Sequence, residues 1–284
     1  MKKVLVIGVK GMAGHLVFKK LPQLGNYELY GIARNCPETS RVFDLDVSDT
    51  YKLKTIVQEN QFDVIVNCIG ILNKDAEDHP DKAIWFNAYF PHYLESITKE
   101  TPTKVIHIST DCVFSGKKGG YSETDFKDGE GFYAQSKALG EIVNQKDVTL
   151  RTSIIGPELN TNGIGLFHWF MKQDNAQKLK GFTQAFWSGI TTVELANVIH
   201  WAIQNEVTGL KQIAREKIDK YQLLLLFNEV FKNNQVAILS DDYYKVDKSL
   251  ISTRTDFVYE LPDYKQMLLE MKTWILNNDY EYVI

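Results

Sequence analysis

Cysteine is scarce in this sequence, which has only Cys36, Cys68 and Cys112 among its 284 residues and no Cys-x-x-Cys pair. An odd number of widely spaced cysteines argues against a disulfide-stapled secreted domain and is typical of reduced thiols in the cytoplasm. The six histidines show neither His-x-x-x-His spacing nor clusters with cysteine, which argues against a metal site. We therefore expect a cytoplasmic protein without a bound metal ion.

Long apolar runs and basic blocks are also missing. The apolar residues that follow Met1–Lys3 stop at Gly8, which is too short a run for a signal-peptide core or a membrane span. Lys and Arg number 32 against 36 Asp and Glu, so the net charge is −4. We therefore expect neither nucleic acid nor a membrane as a partner. The hydrophobic content of 44% is typical of a globular protein.

Strand and helix patterns alternate through the first half of the chain. Strands are predicted at residues 3–7, 28–33, 41–46, 63–68, 104–109 and 148–153. Helices are predicted at residues 12–24, 49–59, 81–100, 133–144, 192–205, 220–232 and 263–276. Strands separated by helices imply right-handed crossovers, so the fold class is α/β with a doubly wound parallel sheet of the Rossmann type.

A glycine turn follows the first strand. Gly8 permits a tight turn, Gly11 lets the backbone approach a pyrophosphate, and Gly14 lets the next helix pack close to the strand. The helix begins at Met12, where its unpaired N–H groups face the phosphates. Although the spacing is Gly-x-x-Gly-x-x-Gly, the order of strand, turn and helix predicts a dinucleotide-binding site.

The residue after the second strand indicates which dinucleotide binds. An acidic residue there would bind the ribose hydroxyls of NAD, whereas Arg34 suits the 2′-phosphate of NADP. We therefore predict NADPH, with NADH as the alternative.

The strand and helix pattern loosens from about Gly156. We predict an NADP-binding domain at residues 1–155, while residues 156–284 form mainly a small substrate lobe with some segments returning to the first domain.

Tyr133 and Lys137 lie four positions apart, on one face of a predicted helix. There the ammonium group can stabilise the phenolate, and a tuned phenol is a usable acid for a carbonyl oxygen that receives a hydride. Tyr-x-x-x-Lys alone is common. Together with the glycine turn and with Ser109-Thr110-Asp111 at a strand end, it predicts an oxidoreductase.

Several motifs together resemble the extended short-chain dehydrogenase/reductases, and within them the dTDP-4-dehydrorhamnose reductase group. The motifs are Gly8-x-x-Gly11-x-x-Gly14, Ser109-Thr110-Asp111-Cys112-Val113-Phe114-Ser115-Gly116, Tyr121-x-Glu123, Tyr133-x-x-x-Lys137-x-x-Gly140-Glu141, Leu150-Arg151-Thr152-Ser153 and Gly189-Ile190-Thr191-Thr192-Val193-Glu194-Leu195-Ala196. The resemblance spans nearly the whole chain. It implies a seven-stranded nicotinamide-binding domain and a small sugar-nucleotide lobe. It also implies reduction of a 4-keto sugar on a nucleoside diphosphate, for cell-surface polysaccharide precursors.

The resemblance also implies roles for individual residues. Thr110 would hydrogen-bond the substrate carbonyl, Tyr133 would be the acid, and Lys137 would hold the nicotinamide ribose. Further cofactor contacts are implied for Asp46, Val47, Cys68, Ile69, Gly70 and Asn87, the last through a water molecule that supports the lysine. On the substrate side we expect Thr110, Asp111, Cys112, Val113, Phe114, Ser153, Trp187 and Arg254, with Trp187 in an exposed loop beside Phe186 and Arg254 beside the diphosphate.

Two departures from the rhamnose enzymes bear on the sugar. Cys112 stands where tyrosine is commoner, and Ile154-Ile155-Gly156 replaces an aromatic-rich segment. A roomier pocket favours a UDP-linked 2-acetamido-2,6-dideoxy-hexos-4-ulose over dTDP-4-dehydrorhamnose.

Other functions on this scaffold stay open. One is a sugar-nucleotide epimerase or dehydratase, although Cys112 is not the glutamate that a 4,6-dehydratase would carry after its aspartate. The other is a non-catalytic dinucleotide-binding regulatory subunit. A homodimer is compatible with the sequence.

Overall fold

The computed structural model describes residues 1–278 and residue 282, and their contacts group the chain into two compact units. The first unit comprises Met1–Ser109, Glu130–Arg151 and Ala196–Lys211. The second comprises Thr110–Gly129, Thr152–Leu195 and the described residues from Gln212 onward. The functional division predicted between residues 155 and 156 stays a prediction, and its last residues, 279–281 and 283–284, lie outside the described part of the chain.

Strands and helices alternate along most of the chain. The strands are β1 (Lys2–Ile7), β2 (Tyr27–Ala33), β3 (Val42–Asp44), β4 (Val64–Asn67), β5 (Lys104–Ser109), β6 (Val148–Arg151), β7 (Ile154–Ile155), β8 (Lys178–Trp187), β9 (Ile190–Thr191), β10 (Gly209–Gln212), β11 (Ile218–Asp219) and β12 (Ala237–Asp247). The α-helices are α1 (Met12–Leu24), α2 (Thr50–Asn60), α3 (Asn73–Asp78), α4 (Pro80–Ala83), α5 (Phe90–Ile97), α6 (Gly131–Leu139), α7 (Leu166–Met171), α8 (Thr192–Gln204), α9 (Lys220–Lys232) and α10 (Tyr264–Asn277).

A seven-stranded sheet, in the order β10-β6-β5-β4-β1-β2-β3, forms the centre of the first unit. The pairs β1–β2, β2–β3, β1–β4, β4–β5 and β5–β6 are all parallel. From β1 the chain builds outward to β3 on one side and then returns to build β4 to β6 on the other. The predicted doubly wound Rossmann fold is therefore confirmed. The carboxyl ends of β1 and β4 flank the point where the winding reverses, which is where such sheets bind ligands.

Burial explains why the first strand is a continuous apolar run. The side chains from Val4 to Ile7 are fully buried, because helices cover both faces of a parallel sheet. Leu5 and Ile7 pack in one apolar cluster with Ile65 of β4 and Val105 of β5. Burying each large apolar side chain contributes roughly 1.5–3 kcal/mol to the stability of the fold, so the buried residues of the sheet help to stabilise this unit.

Two predicted helices differ from the observed ones. The helix expected at residues 81–100 contains a π-helical segment, Ile84–Tyr89, between α4 and α5. Pro91 has no N–H to donate to the carbonyl of Asn87 four residues earlier, so the helix takes a wider turn there. The helix expected at residues 133–144 already ends at Leu139. A Cβ on the following Gly140 would lie 1.8 Å from the Asn87 carbonyl oxygen, so the chain makes a close approach that needs glycine.

The second unit contains a three-stranded sheet in the order β11-β8-β12 and a two-stranded sheet of β7 and β9. Helix α9 packs against β8. Phe186 and Trp187 were expected in an exposed loop, but they end strand β8, and Trp187 is buried. The loop prediction was wrong because Phe186 pairs in register with Asp219 and Trp187 with Ile218 of β11. Among the described residues, no helix has the length and apolar character to cross a membrane.

Candidate active site

The glycine turn after β1 has a geometry that requires glycine at two positions. Gly8 has a φ of +93°, in the left-handed region that favours glycine. A Cβ on Gly14 would lie 2.1 Å from the Gly8 carbonyl oxygen, so no side chain fits there. The Gly11 N–H donates to that same oxygen at 2.9 Å, and no side chain caps the start of α1 at Met12. The turn therefore leaves the first N–H groups of α1 for an anion.

The end of β4 packs beneath this turn. A Cβ on Gly8 would meet Ile69 Cγ1 at 3.1 Å, and one on Gly14 would meet Cys68 Cβ at 3.3 Å. Burial raises the pKa of the Cys68 thiol to about 12, so the thiol is neutral. The structure thus brings four of the predicted cofactor residues together at the carboxyl ends of β1 and β4.

The side chain of Asn87 holds the segment that follows β4 through hydrogen bonds. Its side-chain amide accepts from the Ile71 N–H at 2.8 Å and donates to the Ile71 carbonyl oxygen at 2.8 Å. The same amide donates to Ser136 Oγ at 3.1 Å, and a Cβ on Gly70 would lie 3.6 Å from its oxygen. Asn87 therefore binds directly to the residue beside Lys137, a contact that the expected water-mediated support did not include.

The end of β2 carries the arginine predicted to read the 2′-phosphate. Arg34 is exposed, and its Nη1 lies 3.2 Å from Asp46 Oδ2. Burial alone would raise the pKa of Asp46, but hydrogen bonds from Ser48 and Arg34 hold that pKa below its ordinary value. Val47, also predicted to contact the cofactor, packs its side chain in the apolar core. Only its backbone can face a ligand.

A second cation at this position was missed by the sequence analysis. Lys10, inside the glycine turn, donates from Nζ to the Asn35 carbonyl oxygen at 2.9 Å. Its amino group therefore lies beside the residue that follows Arg34. The signal was present in the sequence, because a lysine within a phosphate-binding turn is a candidate for an anionic group.

Lys137 is a buried cation of the first unit. Helix α6 carries the half-buried Tyr133 and the 4% exposed Lys137. The Lys137 ammonium donates to the Ile108 carbonyl oxygen at 2.7 Å. Burial lowers the pKa of Lys137 to about 8, against the opposing effect of Glu141 and Cys68. The lysine still carries its charge at neutral pH.

His107 lies beside this lysine and was not predicted. Its Nε2 is 3.4 Å from Lys137 Nζ, and its Nδ1 is 3.2 Å from Asn67 Nδ2. Burial and then the Lys137 charge hold the pKa of His107 well below its ordinary value, so the imidazole is neutral. A neutral ring next to Lys137 avoids a second buried charge.

A buried ion pair fixes the ends of β5 and β6. Arg151 Nε and Nη2 donate to the two Glu141 carboxylate oxygens, each at 2.7 Å. The Ser109 hydroxyl also donates to Glu141, at 2.8 Å. These bidentate bonds lock the strand end from which the chain continues to Thr110.

A cavity of about 480 Å³ opens in the second unit. This volume lies in the range of small-molecule sites. Four residues predicted to contact substrate line it, namely Asp111, Cys112, Ser153 and Trp187. The other lining residues are Leu166, Trp169, Lys180, Phe182, Ala185, Phe186, Lys220, Leu224, Tyr244, Val246 and Lys248. The walls are therefore largely aromatic and aliphatic, with three cations and one carboxylate.

The remaining predicted substrate residues lie outside the lining of this cavity. The Thr110 hydroxyl donates to Asp111 Oδ1 at 3.2 Å and accepts from the Cys112 N–H at 3.1 Å. Val113 and Phe114 are fully buried in the core. Arg254 is exposed, and its Nη2 lies 2.8 Å from Asp256 Oδ2.

The three cavity lysines, Lys180, Lys220 and Lys248, were missed by the sequence analysis. Lys220 Nζ lies 5.3 Å from the centre of the Trp187 ring. Burial lowers the pKa of Lys220 to about 8, while Asp111 and Cys112 oppose the shift. A cation at the first residue of a helix is unfavourable. Lys220 at the start of α9 could therefore have been recognised from the sequence as a candidate binding residue.

The segment Ile154-Ile155-Gly156 has a structural role. Ile154 and Ile155 form β7, which pairs with β9, and a Cβ on Gly156 would lie 2.0 Å from Thr192 Oγ1. The segment is not among the described residues that line the cavity. Of the two departures from the rhamnose enzymes, only Cys112 therefore bears on the cavity.

Comparison with known proteins identifies related chains. The model of a family described as RmlD substrate binding domain matches residues 1–213. A probable low-salt glycan biosynthesis reductase, Agl14, of Haloferax volcanii is 29% identical over 161 residues, 53% of this chain and 52% of the relative. A dTDP-4-dehydrorhamnose reductase of Aggregatibacter actinomycetemcomitans is 29% identical over 168 residues, 57% of this chain and 54% of the relative. This chain thus spans about half the length of these curated relatives.

A solved structure agrees with the fold. It is described as a dTDP-4-dehydrorhamnose reductase from Bacillus anthracis in complex with NADP. Its TM-score is 0.80 at 20% identity, and the match covers 96% of this chain and 99% of that chain. At this identity the likeness concerns the fold alone.

Proposed function

The chain belongs to the RmlD substrate binding domain family, and on that premise we propose that it reduces the 4-keto group of a nucleoside-diphosphate-linked 6-deoxy sugar. The product would be a precursor of cell-surface polysaccharide. The observation that carries the proposal is the chemistry of the cavity, where three lysines lie among aromatic walls. An anionic diphosphate joined to a ring-shaped base and sugar suits such a lining. The experiment that tests it is an assay of NADPH-dependent reduction of 4-keto sugar nucleotides.

The glycine turn fits a nicotinamide dinucleotide, because Gly8 and Gly14 leave a cradle that side chains would fill. We propose that the start of α1 binds the pyrophosphate, and that Cys68 and Ile69 line the adjoining ribose. Arg34, with Lys10, would bind the 2′-phosphate of NADP. When bound, the nicotinamide supplies the hydride.

Residues of this chain would carry out the proton transfer. We propose that Tyr133 donates its phenolic proton to the C4 oxygen as negative charge develops there, while the Thr110 hydroxyl turns from Asp111 and donates its hydrogen bond to that oxygen. Lys137, charged at neutral pH, would stabilise the phenolate that remains. Its amino group would also hold the nicotinamide ribose.

We expect Arg34→Asp to raise the apparent KM for NADPH by about tenfold to 100-fold, because a charge-assisted bond to the 2′-phosphate is replaced by repulsion. The KM for NADH should change little, since NADH has no such phosphate. Steady-state kinetics with each cofactor measure both constants. Arg41→Asp, an exposed arginine near the same sheet edge, is the matched control. Equal weakening of both cofactors would show that NADP specificity has another source.

We expect Lys220→Gln to raise the KM for the sugar nucleotide by about tenfold, through loss of one charged contact to the diphosphate. The KM for NADPH should stay the same. Lys245→Gln is the control, because Lys245 is exposed between the cavity residues Tyr244 and Val246, on the opposite face of β12. If the two variants gave the same kinetics, Lys220 would have no part in substrate binding.

The sugar itself is proposed from cavity size. Cys112 lines the cavity where the rhamnose enzymes more often have tyrosine, and this smaller side chain would leave room beside the hexose for a 2-acetamido group. We favour a UDP-linked 2-acetamido-2,6-dideoxy-hexos-4-ulose over dTDP-4-dehydrorhamnose. A higher kcat/KM for the dTDP-linked deoxyhexose would reverse that preference and leave the reductase proposal standing.

Two alternatives use the same scaffold. A 4,6-dehydratase needs a second carboxylate after Asp111, where this chain has Cys112. A regulatory dinucleotide-binding subunit needs no proton donor, yet Thr110, Tyr133 and Lys137 are all present. Both features favour the reductase.

A further inference from the structure

The helix that carries Tyr133 is capped by a residue from another helix. Glu77, on α3, accepts from the Phe132 N–H through Oε2 at 3.0 Å and from the Tyr133 N–H through Oε1 at 3.1 Å. Glu130, the residue before α6, makes no side-chain cap. One carboxylate therefore satisfies two of the N–H groups that begin α6, at the end of the helix where negative charge is favourable.

Gly131, which lies between Glu130 and Phe132, allows the Glu77 carboxylate to come this close. Gly131 has a φ of +86°, which disfavours any residue with a side chain. A Cβ at Gly131 would lie 2.6 Å from Glu77 Oε1. Glycine at position 131 therefore both permits the turn into α6 and leaves room for the carboxylate.

A second bond joins the same stretch of chain to α6. Asn87 holds Ile71 through two hydrogen bonds and donates to Ser136. The chain between β4 and α5 is thus fastened to α6 at Tyr133 by Glu77 and at Ser136 by Asn87. These two contacts hold the segment that follows β4 in a fixed position relative to α6, the helix that carries Tyr133.

We propose that Glu77 is a positioning residue for Tyr133, acting through the backbone N–H of that tyrosine to fix the first turn of α6 and hence the phenol. The inference rests on the proposed function of Tyr133 as the proton donor. Glu77 is exposed, so its loss leaves the core intact. A displacement of the phenol by about 1 Å is enough to cost up to about 100-fold in rate.

The test compares Glu77→Ala, Glu77→Gln and the control Asp78→Ala, which removes a carboxylate of α3 that pairs with Lys74. We expect Glu77→Ala to lower kcat, counted per NADPH-binding site, by about tenfold with the KM for NADPH unchanged. Glu77→Gln keeps one acceptor oxygen and should recover part of that loss. Asp78→Ala should match the parent protein.

Hydrogen exchange provides a readout independent of activity. The amides of Phe132 and Tyr133 should exchange faster in Glu77→Ala than in Asp78→Ala. Gly131→Ala should reproduce the fall in kcat, and its effect should be smaller in the Glu77→Ala background, where the carboxylate no longer meets the added methyl group.

The outcomes separate this inference from the proposed function. A kcat per site in Glu77→Ala within twofold of Asp78→Ala would overturn the positioning role, whether or not the amides exchange faster. A loss confined to the number of NADPH-binding sites would also overturn it, because that result marks a stability effect alone. Full activity of Tyr133→Phe would instead overturn the proposed role of Tyr133 as the proton donor, and no conversion of any 4-keto sugar nucleotide by the parent protein would overturn the proposed function.

Discussion

Tyr133→Phe should lower kcat by about 100-fold or more while NADPH binds as it does to the parent protein. The substitution removes one oxygen atom, the group proposed to protonate the C4 oxygen. The backbone of α6 keeps its bonds to Glu77, so the helix should stay in place. Steady-state kcat and a fluorescence titration with NADPH measure the two effects separately.

A matched control is available on α2. Tyr51 is 83% exposed, and Tyr51→Phe removes the same oxygen from a surface position. Its kcat should equal that of the parent protein. If Tyr133→Phe kept activity within a few-fold of Tyr51→Phe, Tyr133 would not be the acid.

Lys137→Met should lower kcat by a similar factor of about 100 and yet raise the melting temperature at pH 7. The pKa of Lys137 falls from 10.5 to about 8 in the folded protein. Below pH 8 Lys137 is protonated in both states, but the folded protein binds this proton more weakly than the unfolded chain does. This difference costs at most about 3 kcal/mol of stability at neutral pH.

Methionine removes that cost but leaves the Ile108 carbonyl oxygen without its lysine donor, a loss of about 1 kcal/mol. The net gain should raise Tm by roughly 2–4 °C. Since the cost disappears as pH rises from 8 toward 10.5, the gain should shrink at pH 9.5. Thermal unfolding at pH 7 and at pH 9.5 tests this. A lower Tm for the variant at pH 7 would contradict the account of the buried charge.

Local patterns predicted the first strand, glycine turn and helix of the chain well. The apolar run of β1 and the spacing of Gly8, Gly11 and Gly14 depend on neighbours in sequence, so the strand, turn and helix follow from the sequence directly. The π-helical turn at Asn87 was not predicted, because helical periodicity alone does not reveal the wider turn that precedes Pro91.

The second unit was harder to predict because distant segments build it. Lys180 comes from β8, Lys220 from α9 and Lys248 from the residue after β12, and no local pattern joins them. Val113 and Phe114 stand in a motif beside Thr110, yet they belong to the core. A motif therefore indicates the strand end at which a site lies, but not which of its side chains face a ligand.

The central claim is that the chain catalyses net reduction at C4, and the most direct measurement follows cofactor and product mass together. The protein is incubated with NADPH and, in turn, UDP-linked and dTDP-linked 4-keto-6-deoxy sugars, with Tyr133→Phe as the control. We predict that NADPH is oxidised in equal amount to the sugar nucleotide converted, and that the product has the mass of the substrate plus H2. An isomer of unchanged mass without net NADPH oxidation, a product that has lost water, or no conversion of any sugar despite NADPH binding would contradict the claim.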